Sequence, residues 1–279
     1  MMRNSFPWSL VLGAWLLSQL QPSFFVGQLR AEGQDPSPNP EQVARLKFMK
    51  DSTQVYQFTT VEKPAETLRV QPEPALRWTN PVSGLKDGTL FFWTSPEGRP
   101  YAAAQVFLIE NGAWLHEFQS LTTSPFQVTR AGKSVWHPDK PGLEWKAVPG
   151  SSVAAQSVVQ RLSQMKAIIN RLSANDDFEG DSRWELGMLA KPLLRYSVPG
   201  QDIVDGATFA FVHTTDPEVF VMLEARTTNG EDPVWHYAIA PMTAYALKVS
   251  LDGKLVWEKP WLKEPFPQSA PYQILVYKL

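Results

Sequence analysis

Apolar residues recur every three or four positions in two stretches of the chain. Val158, Leu162, Met165, Ile169 and Leu172 fall on one helical face, and Ser151 or Ser152 is placed to cap that helix. Val43, Leu46, Met49, Thr53 and Tyr56 repeat the pattern less cleanly from Glu41 to about Phe58, behind a proline at position 40 that suits a helix start. Elsewhere the pattern alternates with a period of two. Segments 184–189, 192–198, 207–214, 218–228, 233–240, 245–251 and 253–257 are predicted to be extended, rich in aromatic and β-branched residues between turn residues. Asn111-Gly112, Asn229-Gly230 and Asp252-Gly253 predict tight hairpin turns. Two segments are apolar on both faces. In VFVMLEAR (219–226), Val219, Val221, Leu223 and Ala225 form one face while Phe220 and Met222 begin the other; YAAAQVFLI (101–109) is similar. A strand of that kind has to be covered from both sides.

The pattern is written twice. GKSVW at 132–136 returns as GKLVW at 253–257, and the same 121-residue offset brings Trp114 onto Trp235, Thr122 onto Thr243 and Val128 onto Val249. Upstream, an offset of 118 pairs Leu76-Arg77 with Leu194-Arg195, Asp87-Gly88 with Asp205-Gly206, and Trp78 with Tyr196. An offset of 116 pairs RLKFMK (45–50) with RLSQMK (161–166). Three blocks in one order predict an internal duplication with units longer than any solenoid repeat. The fold expected is α+β: in each unit one N-terminal helix packs on a curved antiparallel sheet of about five to seven strands, and the two units cover each other's open sheet faces. The expected organisation is a signal peptide (1–31), a Pro-rich linker (32–40), a first unit (41–146), a second unit (147–264) and a C-terminal tail (265–279).

Composition narrows the function classes. A hydrophobic content of 43% supplies a core, and a formal charge of −2 with acids and bases mixed removes the basic footprint of a nucleic-acid binder. Arg3 followed by the apolar stretch Phe6–Leu20 reads as a secretory signal peptide, with an uncleaved membrane anchor as the alternative. The protein is therefore expected to be exported, to the periplasm or beyond. There is no cysteine, so disulfides, thiolate nucleophiles and cysteine metal ligands are all excluded.

WELG (184–187), PLLRYSVP (192–199), DGATFAFVHTTDPEVFVMLEAR (205–226) and WHYAIAPM (235–242) resemble a set of uncharacterised secreted proteins of planctomycete bacteria. The resemblance covers mainly the second unit and implies export but no activity.

Candidate chemistry is sparse. His116-Glu117 begins like a zinc-binding HExxH, but position 120 is Ser and the segment reads as a strand. Asp176, Asp177, Glu179 and Asp181 lack the spacing of a calcium loop and read as a solvated loop. There is no nucleophile elbow and no phosphate-cradling glycine loop, so no cofactor and no metal are expected. His116 is expected to be buried among aromatics, and His137 and His213 to be exposed. His236 is the one candidate general base, although a structural role stands ahead of it. Arg195, with its repeat partner Arg77, is a structural arginine first and an anion-binding position second. Trp78, Tyr196, Trp184, Trp114 and Trp235 are expected to line a pocket or to pack the core.

The function expected is an exported, non-catalytic protein that binds an unidentified protein or small molecule, with Arg195, Tyr196 and His236 as binding positions. The alternatives are a hydrolase using His236 in the second unit and a structural component of the cell envelope.

Overall fold

A computed structural model describes residues 39–178, 182–227 and 230–277. The expected signal peptide, most of the Pro-rich linker, and Glu179, Asp181 and Asn229 lie outside the described residues. In the first half, α1 (Pro40–Gln54) is followed by β1 (Tyr56–Thr60), β2 (Thr67–Val70), β3 (Leu76–Asn80), β4 (Leu85–Thr94), β5 (Pro100–Ile109), β6 (Trp114–Ser120), β7 (Phe126–Arg130), β8 (Lys133–Trp136) and β9 (Lys146–Ala147). The second half runs α2 (Val158–Ile169), β10 (Leu172–Phe178), β11 (Ser182–Glu185), β12 (Gly187–Met188), β13 (Leu194–Val198), β14 (Ile203–His213), β15 (Asp216–Arg226), β16 (Val234–Pro241), β17 (Leu247–Leu251), β18 (Lys254–Lys259) and β19 (Tyr272–Tyr277).

The expected α+β class is wrong. The described chain has nineteen strands and two α-helices, and it does not form a pair of helix-on-sheet units. The first half builds a nine-stranded antiparallel sheet in the order β19-β6-β5-β4-β2-β1-β7-β8, with β3 also on β4. That sheet curls until it is nearly a closed barrel. Trp136 Nε1 at the β8 edge donates to the Ala270 carbonyl at 2.7 Å, just before β19 on the opposite edge. The inside is filled by the sheet's own aromatics: Phe58 stacks on Trp93 at 4.4 Å, and Phe118, Phe126 and Trp136 close the cluster. Curling covers a face that a helix was expected to cover. From α1, Met49 is the only apolar side chain that is buried.

In the second half a six-stranded sheet (β12-β14-β15-β16-β9, with β13 on β14) faces a four-stranded one (β11-β10-β17-β18). Phe209, Val221, Leu223, Trp235 and Val249 fill the space between them, with Met165 and Ile169 of α2. A further core joins the halves. Leu90, Phe92 and Ala103 from β4 and β5 pack on Ala210, Phe220 and Met222 from β14 and β15, with the Phe92 and Phe220 rings 5.9 Å apart. Pro38 onward thus forms one body. Pairing strands come from the boundary between the expected units, where β9 adds to β16, and from the expected tail, where β19 adds to β6. The helix pattern also overran. Tyr56 and Leu172 begin strands, and Ser157 rather than Ser151 or Ser152 caps α2, its side chain accepting from Gln160 N at 3.2 Å.

Asp252-Gly253 makes the expected turn between β17 and β18, but Asp87-Gly88 and Asp205-Gly206, for which the same dipeptide predicts turns, lie within long strands beside a register shift. Each of the latter two aspartates is buried and binds two arginines. Asp87 accepts from Arg77 Nε at 2.9 Å and Arg45 Nε at 2.8 Å, while Arg77 also reaches the Gln42 carbonyl at 2.8 Å. Asp205 accepts from Arg195 Nε at 2.9 Å and Arg161 Nε at 2.7 Å, and Arg195 reaches the Val158 carbonyl at 2.8 Å. Each cluster ties a helix to its sheet. The glycine then makes room for an aromatic ring: a Cβ on Gly88 would lie 2.9 Å from Trp78, and one on Gly206 would lie 2.5 Å from Tyr196. Burial alone would raise the Asp87 carboxyl, but Arg77 and Arg45 outweigh it and hold the group below the usual aspartate range.

Removing Asp205 strands two guanidinium groups, one of them nearly buried. Asp205→Ala is expected to cost about 3 kcal/mol, near the low end for a broken buried pair. Gly206→Ala forces a ring or a strand to move and costs roughly 1–3 kcal/mol. Urea unfolding of the two variants against the parent measures both; a loss below about 0.5 kcal/mol for either would sink the assigned role.

Candidate functional site

The structure puts two of the three expected binding residues, Arg195 and Tyr196, to internal use and gives His236 no side-chain partner. The Arg195 donors go to Asp205 and the Val158 carbonyl. The Tyr196 hydroxyl donates to Glu224 Oε1 at 2.8 Å. Glu224 is fully buried and also receives Arg99 Nε and Nη2 at 3.1 and 3.2 Å and Arg226 Nε at 2.7 Å. Arg99 belongs to the first half and Glu224 to the second, so this cluster ties the halves together. His236 lies opposite Glu224 across the β15–β16 ladder, but its Nδ1 faces only the Val234 carbonyl at 3.3 Å. It is half-buried, and burial lowers its imidazole. Nor do the five aromatics converge. Trp78 and Tyr196 enter the core between the halves, Trp114 the barrel interior and Trp235 the second-half core, while Trp184 stays 44% exposed.

A different set of residues converges. Between the halves lies a cavity of about 510 Å³ walled by Phe107, Phe178, Tyr245, Trp261 and Phe266. Its floor carries Glu117, Asp216 and Glu218, and His213 completes it. Glu117 stands in the middle of β6, held between Gln105 of β5 and Ile274 of β19. Asp216 opens β15 opposite His213, and Glu218 follows on the same strand face. Behind His213 is Asp176 of β10, whose Oδ2 lies 3.1 Å from His213 Nδ1. The expected solvated acidic loop is therefore in part a strand, and Asp176 is buried in it. His213, expected to be exposed, is 4% exposed, with the Phe178 and Trp184 rings each 5.0 Å from its own.

Several polar atoms in this group have no partner. Asp176 Oδ1, Glu218 Oε2 and His213 Nε2 are buried without a hydrogen bond. Buried polar groups are nearly always paired; here Glu218 Oε2 and His213 Nε2 border the cavity itself, while Asp176 Oδ1 lies behind His213. Glu117 is better served, because the Tyr272 hydroxyl donates to its Oε1. Among the described residues no group of three or more His, Asp or Glu side chains is arranged to hold a metal ion.

Burial and mutual repulsion set the protonation states. Burial pushes the Glu117 carboxyl up to about 7, only partly offset by Tyr272 and by the charge of Lys259. Asp216 is driven well above the usual range by burial and then by Glu117, and Glu218 by burial and then by Asp216 and Glu117. Burial also raises Asp176, against the pull of His213. Lys259 moves the opposite way, down to about 8 through burial, with Glu117 and Glu218 opposing. Like charges this close cannot all ionise in a low dielectric, so at neutral pH the cavity stores protons.

Glu117, Asp216, Glu218, Asp176 and His213 escape sequence reasoning because none stands at a motif spacing. Nor does any repeat between the halves: the matching positions are Ala238, Gly98, Pro100, Thr60 and Ser95. The usable signal was acids at the edge of or inside an apolar strand, one in LHEFQ (115–119) and two in DPEVF (216–220), where the other half has none.

Between pH 5 and 8 these acids keep protons in the folded state that the unfolded chain gives up near pH 4.5. The fold binds more protons, so its stability falls as pH rises toward 7, by about 1.4 kcal/mol for each unit by which a carboxyl is raised. Neutral, buried His116 works the other way up to about pH 6.5, so the parent's melting temperature is expected to drop between pH 6.5 and 8, and Glu117→Gln to gain stability relative to the parent as pH rises from 5 to 8. A parent-to-variant difference that does not change with pH would refute the assignment.

Among the described residues no helix is long and apolar enough to cross a membrane. Compared with known proteins, the chain matches no family model, no curated protein and no solved structure.

Proposed function

We propose that the protein binds a small organic cation, an amine with an apolar body, in the cavity between its halves. The observation that carries this reading is an unpartnered buried carboxylate oxygen, in a cluster of acids, facing an aromatic wall. Glu218 Oε2 lacks a donor, and Glu117 and Asp216 line the same cavity. Above them Tyr245 meets Trp261 edge-on at 4.9 Å and Phe178 at 5.2 Å. An ammonium group supplies the missing donors, and the ring faces attract its charge once water is excluded. A cavity of about 510 Å³ falls within the usual range for small-molecule sites. The ligand replaces protons: as it enters, carboxyl groups that were neutral become carboxylates.

Export fits this role. The apolar stretch after Arg3 supports secretion to the periplasm or the exterior, where a cysteine-free binding protein would meet small solutes. The resemblance to secreted planctomycete proteins points the same way. A hydrolytic role through His236 has less support, since that residue does not line the cavity and has no carboxylate or hydroxyl bonded to its ring.

Titration calorimetry with phenethylammonium and with benzyltrimethylammonium tests the proposal. Affinity is expected to rise at least tenfold from pH 6 to 8 as the stored protons become easier to displace. Glu218→Gln should weaken binding by about tenfold or more, in keeping with the loss of a buried charge partner. Absence of heat with both probes at pH 8, or an affinity that Glu218→Gln leaves unchanged, would discard the cation reading.

A further inference from the structure

A second cavity, of about 430 Å³, opens between the end of α1 and the strands β6, β7 and β19. It shares no lining residue with the acidic cavity. Phe48 and Val55 form an apolar wall, Arg130 enters from the end of β7 and Tyr277 from the end of β19. The Arg130 guanidinium lies over the Tyr277 ring, 4.0 Å from its centroid. None of the arginine ion pairs among the described residues includes Arg130. Its Nε is buried without an acceptor. Asp51 at the rim is already paired with Lys47.

Beneath the guanidinium runs a chain of three groups. The Tyr277 and Tyr56 hydroxyls are 2.9 Å apart, and the Tyr56 hydroxyl is 2.7 Å from His116 Nδ1. His116 is 1% exposed, and burial together with the Arg130 charge lowers its imidazolium to about 3, so the ring is neutral. A neutral imidazole has one N–H to place. On Nε2 that proton would be buried without an acceptor, because Nε2 has no partner. Orphaned buried N–H groups are rarer than orphaned acceptors, which favours the proton on Nδ1. His116 then donates to the Tyr56 oxygen and Tyr56 donates to the Tyr277 oxygen. The Tyr277 O–H is left over, beside an arginine that has no anion among the described residues.

We propose that this cavity binds the carboxylate of a small apolar monocarboxylic acid, held by the Arg130 guanidinium and the Tyr277 hydroxyl while Phe48 and Val55 hold its apolar body. The planar guanidinium matches a carboxylate in shape, and a hydroxyl donor at its edge completes the recognition. A single cation with Asp51 at the rim suits a monoanion better than a dianionic phosphate. Nothing in this site depends on the acidic cavity.

Octanoate, benzoate and inorganic phosphate are the probes, added to the full chain. Trp114 packs on Phe48 with ring centroids 4.4 Å apart, so tryptophan fluorescence reports occupancy, with the melting temperature as a second readout. Octanoate or benzoate is expected to change the fluorescence saturably and to raise the melting temperature. Tyr277→Phe, which removes only a hydroxyl, should weaken binding at least fivefold, and Arg130→Gln at least tenfold. Unliganded melts and circular dichroism establish that each variant folds; if Arg130→Gln does not, Tyr277→Phe alone carries the test. No response to either acid, an affinity unchanged in Tyr277→Phe, or a response to phosphate but to neither acid would overturn the proposal.

Discussion

The hairpins Leu85–Ile109 and Ile203–Arg226 carry apolar side chains on both faces, and in water each must be covered twice. One face of each hairpin meets the other hairpin, through Leu90, Phe92, Phe220 and Met222. The other face is covered within its own half, by barrel curl in the first and by a second sheet with α2 in the second. The helices are too few to meet this demand, so sheets do most of the covering. The two Arg–Asp–Arg clusters then place each helix against a long strand, and the glycine beside each Asp lets Trp78 or Tyr196 lie flat on the sheet.

Joining two such hairpins face to face also fixes where polar residues become trapped. Glu224 sits at one side of the junction, where Tyr196, Arg99 and Arg226 all reach it. Glu117, Asp216 and Glu218 sit at the other, with Tyr272 on Glu117 and the charge of Lys259 acting on Glu117 and Glu218. The same burial thus produces a closed structural ion cluster on one side and an open, proton-holding cavity on the other. Donor supply makes the difference: Glu224 has three donor side chains around it, and Glu218 Oε2 has none.

His213 and Asp-Gly illustrate why local reading misplaced some residues. His213 stands before Thr-Thr-Asp-Pro, a polar run that looks solvent-facing, yet Phe178 and Trp184 from β10 and β11 close over it. Asp-Gly favours tight turns in isolated hairpins, but at 87–88 and 205–206 the aspartate answers two arginines that are 10 and more than 40 residues away. Distant partners overrode a sound local preference in both cases.

Period-two alternation, the hairpin glycine at 112 and the two-faced apolar runs were legible along the chain, because each reports a neighbour-by-neighbour property of the backbone. The repeated blocks could be read along the chain too, but the pairing of their arginines with their aspartates could not. Helix-on-sheet packing was not there to be read, because which surface covers a strand depends on how far a sheet curls. That curl is settled by edge contacts such as Trp136 to Ala270, 134 positions apart. The acidic cavity belongs to the same class. Its residues come from β6, β10, β14 and β15, and only the fold brings them within reach of one another; once there, burial rather than sequence sets their charge.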